Sequence, residues 1–124
     1  MNKKMTKGAY TLLITPWTEK GELDQDGLKL LVERQVAAGI HGIAPLGVTG
    51  ENTLLTDAEE LKVLEIVAKT ANGKCKVVPD TCSSSLWRAK EKVKAFADLG
   101  ADYISVFSPF FVLPKAEGII KFYE

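Results

Sequence analysis

Apolar positions along this chain alternate between two kinds of spacing. Short, nearly continuous apolar runs fall at Ala9–Thr15, Gly42–Leu46, Lys76–Pro79 and Tyr103–Phe107, and predict buried strands. Between them, apolar residues recur at helical spacing. Asp24 opens the first predicted helix, with Leu28, Leu31, Val32 and Val36 on one face, and Gly39 closes it. Thr56 and Glu59 form a capping box at the start of the second, because Thr-x-x-Glu satisfies two orphan N–H groups reciprocally. Its face carries Leu61, Leu64, Val67 and Ala68. The serines Ser83 to Ser85 open the third, Leu86, Ala89, Val93, Phe96 and Ala97 follow, and Gly100 stops it. A fourth helical pattern starts near Lys115 and runs to Glu124.

The predicted order is βαβαβαβα, with a repeat of about 30 residues, close to one eighth of a (β/α)8 barrel of ~250 residues. Strands that alternate with helices imply parallel pairing through right-handed crossovers. A weak internal echo fits a repeated unit: Gly39-Ile40-His41-Gly42-Ile43 and Gly100-Ala101-Asp102-Tyr103-Ile104 each join a helix stop to a strand start. Four units make half a barrel, so the expected domain spans residues 1–124 as an N-terminal half without its C-terminal half. Two features carry that expectation. The last helical pattern has no C-cap, and the apolar strands suit a sheet covered on both faces. The competing architecture is a self-contained flavodoxin-like α/β domain, which needs a fifth βα strand that the pattern does not supply.

Composition narrows the function classes. Hydrophobic residues make up 46% of the chain and charged residues 26%, with a formal net charge of zero. That balance argues against nucleic-acid or membrane-surface partners, which need a basic surplus. The basic run Lys3, Lys4, Lys7 reads as a solvated tail. No apolar stretch approaches membrane-spanning length, and no signal-peptide core follows Met1. Cys75 and Cys82 fit no metal or redox spacing and are expected to be reduced thiols in a cytoplasmic protein. No cofactor is expected: neither a metal-ligand cluster nor a nucleotide fingerprint is present.

The stretch richest in chemistry is Ile43-Ala44-Pro45-Leu46-Gly47-Val48-Thr49-Gly50-Glu51. A strand runs into a glycine-flanked hydroxyl and a carboxylate. Such a turn lets backbone N–H groups approach a small anion closely, with the Thr49 hydroxyl beside them. The competing role for Thr49 is a turn-stabilising hydroxyl. His41, the single histidine, begins a strand at the opposite end and reads as structural, as do Tyr10 and Trp17 around the first strand.

Four blocks together make the chain resemble the N-terminal half of the dihydrodipicolinate synthase / N-acetylneuraminate lyase family of class I pyruvate aldolases. They are Leu13-Ile14-Thr15-Pro16 with Gly21 to Asp24; Gly47-Val48-Thr49-Gly50-Glu51 with Leu55 and Glu59; Gly100-Ala101-Asp102; and Ser108-Pro109-Phe110-Phe111 with Pro114 and Gly118. The resemblance implies a (β/α)8 TIM barrel, assembled as a homo-oligomer, usually a homotetramer built of dimers. It implies a Schiff base between an active-site lysine and pyruvate or another 2-oxo acid. By motif, Thr49 holds the 2-oxo acid carboxylate with Val48 and Gly47, while Gly50 and Glu51 support the loop, Glu51 by bonding backbone N–H groups and bracing Thr49. The Schiff-base lysine is expected on a later strand, beyond Glu124, so the chain alone is expected not to turn over.

Two departures from the family pattern bear on chemistry. A hydroxyl often precedes that threonine, where Val48 stands here, and a tyrosine contributed across a dimer interface often stands at Phe111. Neither side chain can exchange a proton, as general acid–base work requires. The third strand also departs, since Asp80 and Cys82 stand where small glycines are usual. Asp80 reads first as a helix-leading residue and second as a change to the pocket. No lysine here is a good substitute nucleophile. Lys76 begins the third strand at the wrong end, and Lys115 lies in a wet turn. Readings left open are therefore a dihydrodipicolinate synthase-like enzyme, an aldolase for keto-deoxy sugar acids or N-acetylneuraminate, and a non-catalytic carboxylate-binding or assembly module.

Overall fold

The computed structural model describes residues 7–124, so Lys3 and Lys4 of the basic run lie outside the described residues. The elements appear in the order β1 (Tyr10–Leu12), α1 (Gln25–Ala37), β2 (Gly42–Ala44), α2 (Asp57–Ala71), β3 (Lys76–Val77), β4 (Asp80–Thr81), α3 (Leu86–Asp98), β5 (Ser105–Val106) and α4 (Ala116–Tyr123). A single 3-10 turn, Asn52–Leu54, precedes α2.

The predicted helix starts coincide with real caps. The Asp24 carboxylate accepts from the Gly27 N–H at 2.9 Å. Thr56 and Glu59 form the full capping box: the Thr56 hydroxyl accepts from the Glu59 N–H and the Glu59 carboxylate accepts from the Thr56 N–H at 2.8 Å. Ser85 caps α3. Gly39 and Gly100, just past α1 and α3, take positive φ values of 75° and 91°, which glycine adopts without a Cβ penalty.

Every strand pairing is parallel. β1 pairs β2, β2 pairs β3, and β4 pairs β5. Neighbours in the sheet follow chain order with no reversal. A doubly wound sheet would contain a switch point, so the flavodoxin-like alternative is excluded. The strands are shorter than the apolar runs predict, and two prolines explain part of this. Pro45 and Pro79 stand at equivalent positions of neighbouring strands and offer no N–H to the ladder. The extended chain continues through them: the Asp80 N–H donates to Pro45 O at 3.1 Å and the Ser105 N–H to Pro79 O at 3.0 Å. β3 and β4 are thus one strand interrupted at Val78-Pro79. Asp80, read first as leading a helix, lies inside that strand instead, because Asp80-Thr81 remains extended and α3 begins only after Ser85.

The core lies between the strands and the helices. Leu13, Ile43, Leu46 and Val77 from the sheet side meet Leu28 and Val32 of α1, Val63, Leu64 and Val67 of α2, and Phe96 of α3. The opposite face of the sheet is bare, with Leu12 and Ile14 largely exposed. This is the open inner face expected of four βα units that do not close on themselves. Among the described residues no helix is long and apolar enough to cross a membrane.

Candidate functional site

The carboxyl end of β2 turns sharply into the segment Gly47–Glu51. Leu46 leaves the strand with φ 64° while its side chain stays fully buried in the core. Burial of a leucine, about 2 kcal/mol, offsets the roughly 1–2 kcal/mol that a left-handed backbone costs a non-glycine residue. Two consecutive turns follow: the Gly50 N–H donates to Gly47 O at 3.0 Å and the Glu51 N–H to Val48 O at 3.0 Å. Their carbonyls are committed. The N–H groups of Gly47, Val48 and Thr49 have no acceptor among the described residues. Three successive uncommitted donors in a turn are the donor set that an anion-binding nest requires. The Val48 side chain is 72% exposed, and Thr49 is exposed beside it.

Neighbouring strands hold this turn. The Thr15 hydroxyl, at the end of β1, donates to Gly50 O at 2.8 Å in a buried contact. Gly50 approaches that strand so closely that a Cβ would stand 3.1 Å from both Leu13 O and Leu46 N. Gly47 is held open from the other side, where a Cβ would collide with the Asp80 carboxylate. The two glycines are therefore required by close approach, with backbone on one side and a carboxylate on the other. Glu51, expected to brace the loop, is exposed with φ 55°, and its carboxylate makes no hydrogen bond or ion pair among the described residues. Thr15 supplies the brace instead.

Asp80 is 9% exposed, and burial raises its carboxyl above the usual aspartate range, with a hydrogen bond to Ser105 pulling the other way. Phe111 lies on the loop after β5. It has φ 70° and is 97% exposed, and the Val112 N–H closes a tight turn across it onto Phe110 O at 2.9 Å. Ser84 anchors that turn by accepting from the Phe110 N–H at 3.0 Å and donating to Phe110 O at 2.8 Å.

The remaining candidates settle into structural places. His41 Nδ1 accepts from the Ala9 N–H at 3.1 Å at the amino end of the sheet. Lys76 donates to Asp102 at 2.6 Å at that same end, and the bond together with the Asp102 charge raises its pKa, the reverse of what a nucleophilic amine needs. Lys115 is the exposed residue before α4. Tyr10 packs its ring on Gly42. Cys75 and Cys82 are free thiols, both pushed up chiefly by burial.

Sequence reasoning missed a charged cluster between α2 and α3. Lys92 Nζ lies 2.6 Å from Glu60 Oε2, with side chains 14% and 4% exposed, and Arg88 donates to both Asp57 oxygens at 2.8 and 3.0 Å. The signal was present, since Glu60 falls in the buried stripe of α2 with Val63, Leu64, Val67 and Ala71. Beside the cluster a cavity of about 470 Å³ is lined by Asn52, Asp57, Cys82, Ser84, Arg88 and Phe110. The buried Asn52 Nδ2 has no hydrogen-bond partner among the described residues. Among the described residues no cluster of His, Cys, Asp and Glu could hold a metal ion.

Comparison with known proteins bears on the family and the fold. The model of the Dihydrodipicolinate synthetase family matches residues 5–124. A 4-hydroxy-tetrahydrodipicolinate synthase of Phenylobacterium zucineum is 40% identical over 120 residues, covering 97% of this chain and 40% of the relative. That of Protochlamydia amoebophila is 39% identical over 118 residues, covering 95% and 39%. The crystal structure of dihydrodipicolinate synthase from Aquifex aeolicus superposes with a TM-score of 0.91 at 33% identity, covering 95% of this chain and 40% of that one. The chain thus spans about two fifths of the length of the relatives it matches, and its fold is the corresponding part of their TIM barrel. With its parallel units in barrel order and a family match over nearly every residue, the chain belongs to the dihydrodipicolinate synthetase family.

Proposed function

We propose that this chain carries the carboxylate-binding side of a Schiff-base-forming synthase or lyase that acts on pyruvate or another 2-oxo acid. One observation carries the reading: three successive N–H groups, Gly47 to Thr49, stand without acceptors at the carboxyl end of a barrel strand. A carboxylate accepts several hydrogen bonds at once, and the Thr49 hydroxyl adds a fourth donor. A 2-oxo acid held this way offers its keto carbon to an amine. None of the described lysines suits that amine: Lys76 and Lys92 are ion-paired and Lys115 is solvated. The nucleophile then comes from outside these residues, and the isolated chain binds the acid without turning it over.

Val48 and Phe111 bear on the second substrate. Neither relays a proton, and an exposed valine beside the nest favours an apolar contact at that point. This keeps a keto-deoxy sugar acid or N-acetylneuraminate lyase-like reaction beside the dihydrodipicolinate synthase-like one. A non-catalytic assembly role has its own support, because Phe111, Val112 and Leu113 form an exposed apolar run and Leu12 and Ile14 line the bare sheet face. Surfaces of this kind pair with further protein, and a homo-oligomer is the expected form. The two free thiols suit a reducing, cytoplasmic setting.

Amide NMR of the chain during pyruvate titration tests the binding step. The Val48 and Thr49 resonances are expected to shift, and unmoved resonances would overturn the carboxylate reading. Borohydride trapping followed by intact mass tests the nucleophile. No covalent adduct is expected, and a single adduct would show that a lysine of this chain is activated.

A further inference from the structure

We propose that Asp80 tunes the carboxylate site: its carboxyl shares the space beside Gly47, so a bound 2-oxo acid and an ionised Asp80 repel each other, and binding is coupled to protonation of Asp80. The inference rests on the carboxylate reading of the Gly47–Thr49 turn.

The geometry starts from Gly47, where a Cβ would overlap Asp80 Oδ2 and stand 3.5 Å from its Cγ. Covalent geometry then brings the Asp80 carboxyl to roughly 4 Å from the Gly47 Cα and within about 6–7 Å of the Val48 N–H. A ligand carboxylate on those N–H groups is a close neighbour of a buried carboxyl. Asp80 has no counter-ion of its own, since no salt bridge among the described residues includes it.

The charged and titratable surroundings do not remove the conflict. On its own segment Asp80 is followed by Cys82, a thiol pushed up by burial. From β5 it meets Ser105, which hydrogen-bonds the carboxyl. Glu60 of α2 and Lys92 of α3 act on Cys82 from the far side, but they are paired to each other. Glu51 of the turn is exposed. Two like charges at this separation cannot both ionise freely, so binding and protonation are coupled. With one face of the sheet open to solvent, an effective dielectric near 40 and a separation of ~6 Å make the coupling about tenfold in affinity.

Coupling is reciprocal, which gives a test without a variant. Carbon-13 NMR of the Asp80 carboxyl follows its titration, with and without saturating pyruvate. Its midpoint is expected to rise by about one pH unit when pyruvate is bound. The pyruvate Kd is expected to rise about tenfold from the acid to the alkaline side of that titration. Asp80→Asn, of equal size and without charge, is expected to flatten the profile and bind about tenfold tighter at pH 8. An unmoved Asp80 midpoint, or an Asp80→Asn variant that keeps the wild-type slope, would overturn the proposal while leaving the turn as the binding site. Absence of Val48 and Thr49 shifts at every pH, in both proteins, would overturn the carboxylate reading and this inference with it.

Discussion

Replacing Lys92 by Met breaks the most enclosed ion pair among the described residues and exposes how the α2–α3 contact is held. The ammonium sits 2.6 Å from Glu60 Oε2, with Asp57 a further 1.0 Å out at 3.6 Å. At an effective dielectric of 20, the close contact corresponds to about 6 kcal/mol of attraction, most of it cancelled by desolvation. Removing one partner leaves the other buried and uncompensated, at about 3–5 kcal/mol. A water-reachable cavity of about 160 Å³ borders Glu60 and Lys92, which argues for the lower end, ~3 kcal/mol. That is a large share of the roughly 5–15 kcal/mol of a domain. The pH dependence follows from Glu60. Burial already raises its pKa despite the Lys92 ammonium, and loss of Lys92 raises it further. A carboxyl raised on folding contributes stability below its unfolded pKa and loses it as pH rises through the folded pKa. Urea denaturation should therefore find Lys92→Met nearly as stable as the wild type on the acid side, with the loss growing toward neutral pH. The double variant Glu60→Leu/Lys92→Met should recover most of the loss, because an apolar pair of similar volume leaves no buried charge. An equal loss at acid and neutral pH would refute the argument and assign the cost to packing of the lysine stem.

Thr56→Ala should cost about 1 kcal/mol in urea denaturation by opening the α2 capping box. The Thr56 N–H and hydroxyl hold the Glu59 carboxyl below the usual glutamate range, so the cap stabilises above the unfolded pKa and fades as pH falls through the folded one. A Thr56→Ala loss that persists in full at acid pH would contradict this. Phe111→Gly should stabilise the chain by about 1 kcal/mol, since φ 70° suits glycine. The same change should weaken self-association measured by sedimentation velocity if the exposed ring is an interface contact.

Where a residue's role depends on its chain neighbours, the sequence made it legible. Asp24, the Thr56–Glu59 pair and Ser85 each cap a helix through atoms within three residues, and the Gly39 and Gly100 stops need only a positive φ. The alternating pattern also implied consecutive parallel strands, because strand order in this fold repeats chain order. What stayed hidden depends on contacts across the fold. Pro45 and Pro79 shorten the strands because they are neighbours in the sheet, 34 positions apart in the chain. Asp80 looked like a residue ahead of a helix until its N–H was seen on Pro45 O, and its closeness to Gly47 has no local signature. Glu51 carried the expected loop contact by motif, yet Thr15, from another strand, makes the brace. Lys92 and Glu60 were hidden because a charged residue in an apolar stripe is read as solvated until its partner helix is known.

The same long-range dependence distinguishes the Gly47–Thr49 turn from a simple bend. A turn held only by its own hydrogen bonds would close its donors onto whichever acceptor came nearest. Here Leu46 is pinned in the core, Gly50 is pressed against β1 and tied by Thr15, and Gly47 abuts Asp80. Three separate strands thus hold the backbone with its N–H groups facing no acceptor among the described residues. The cost of keeping those donors uncommitted is met by apolar burial beneath the turn. A ligand that accepts hydrogen bonds therefore finds them already oriented, and ordering the loop adds little to the cost of binding.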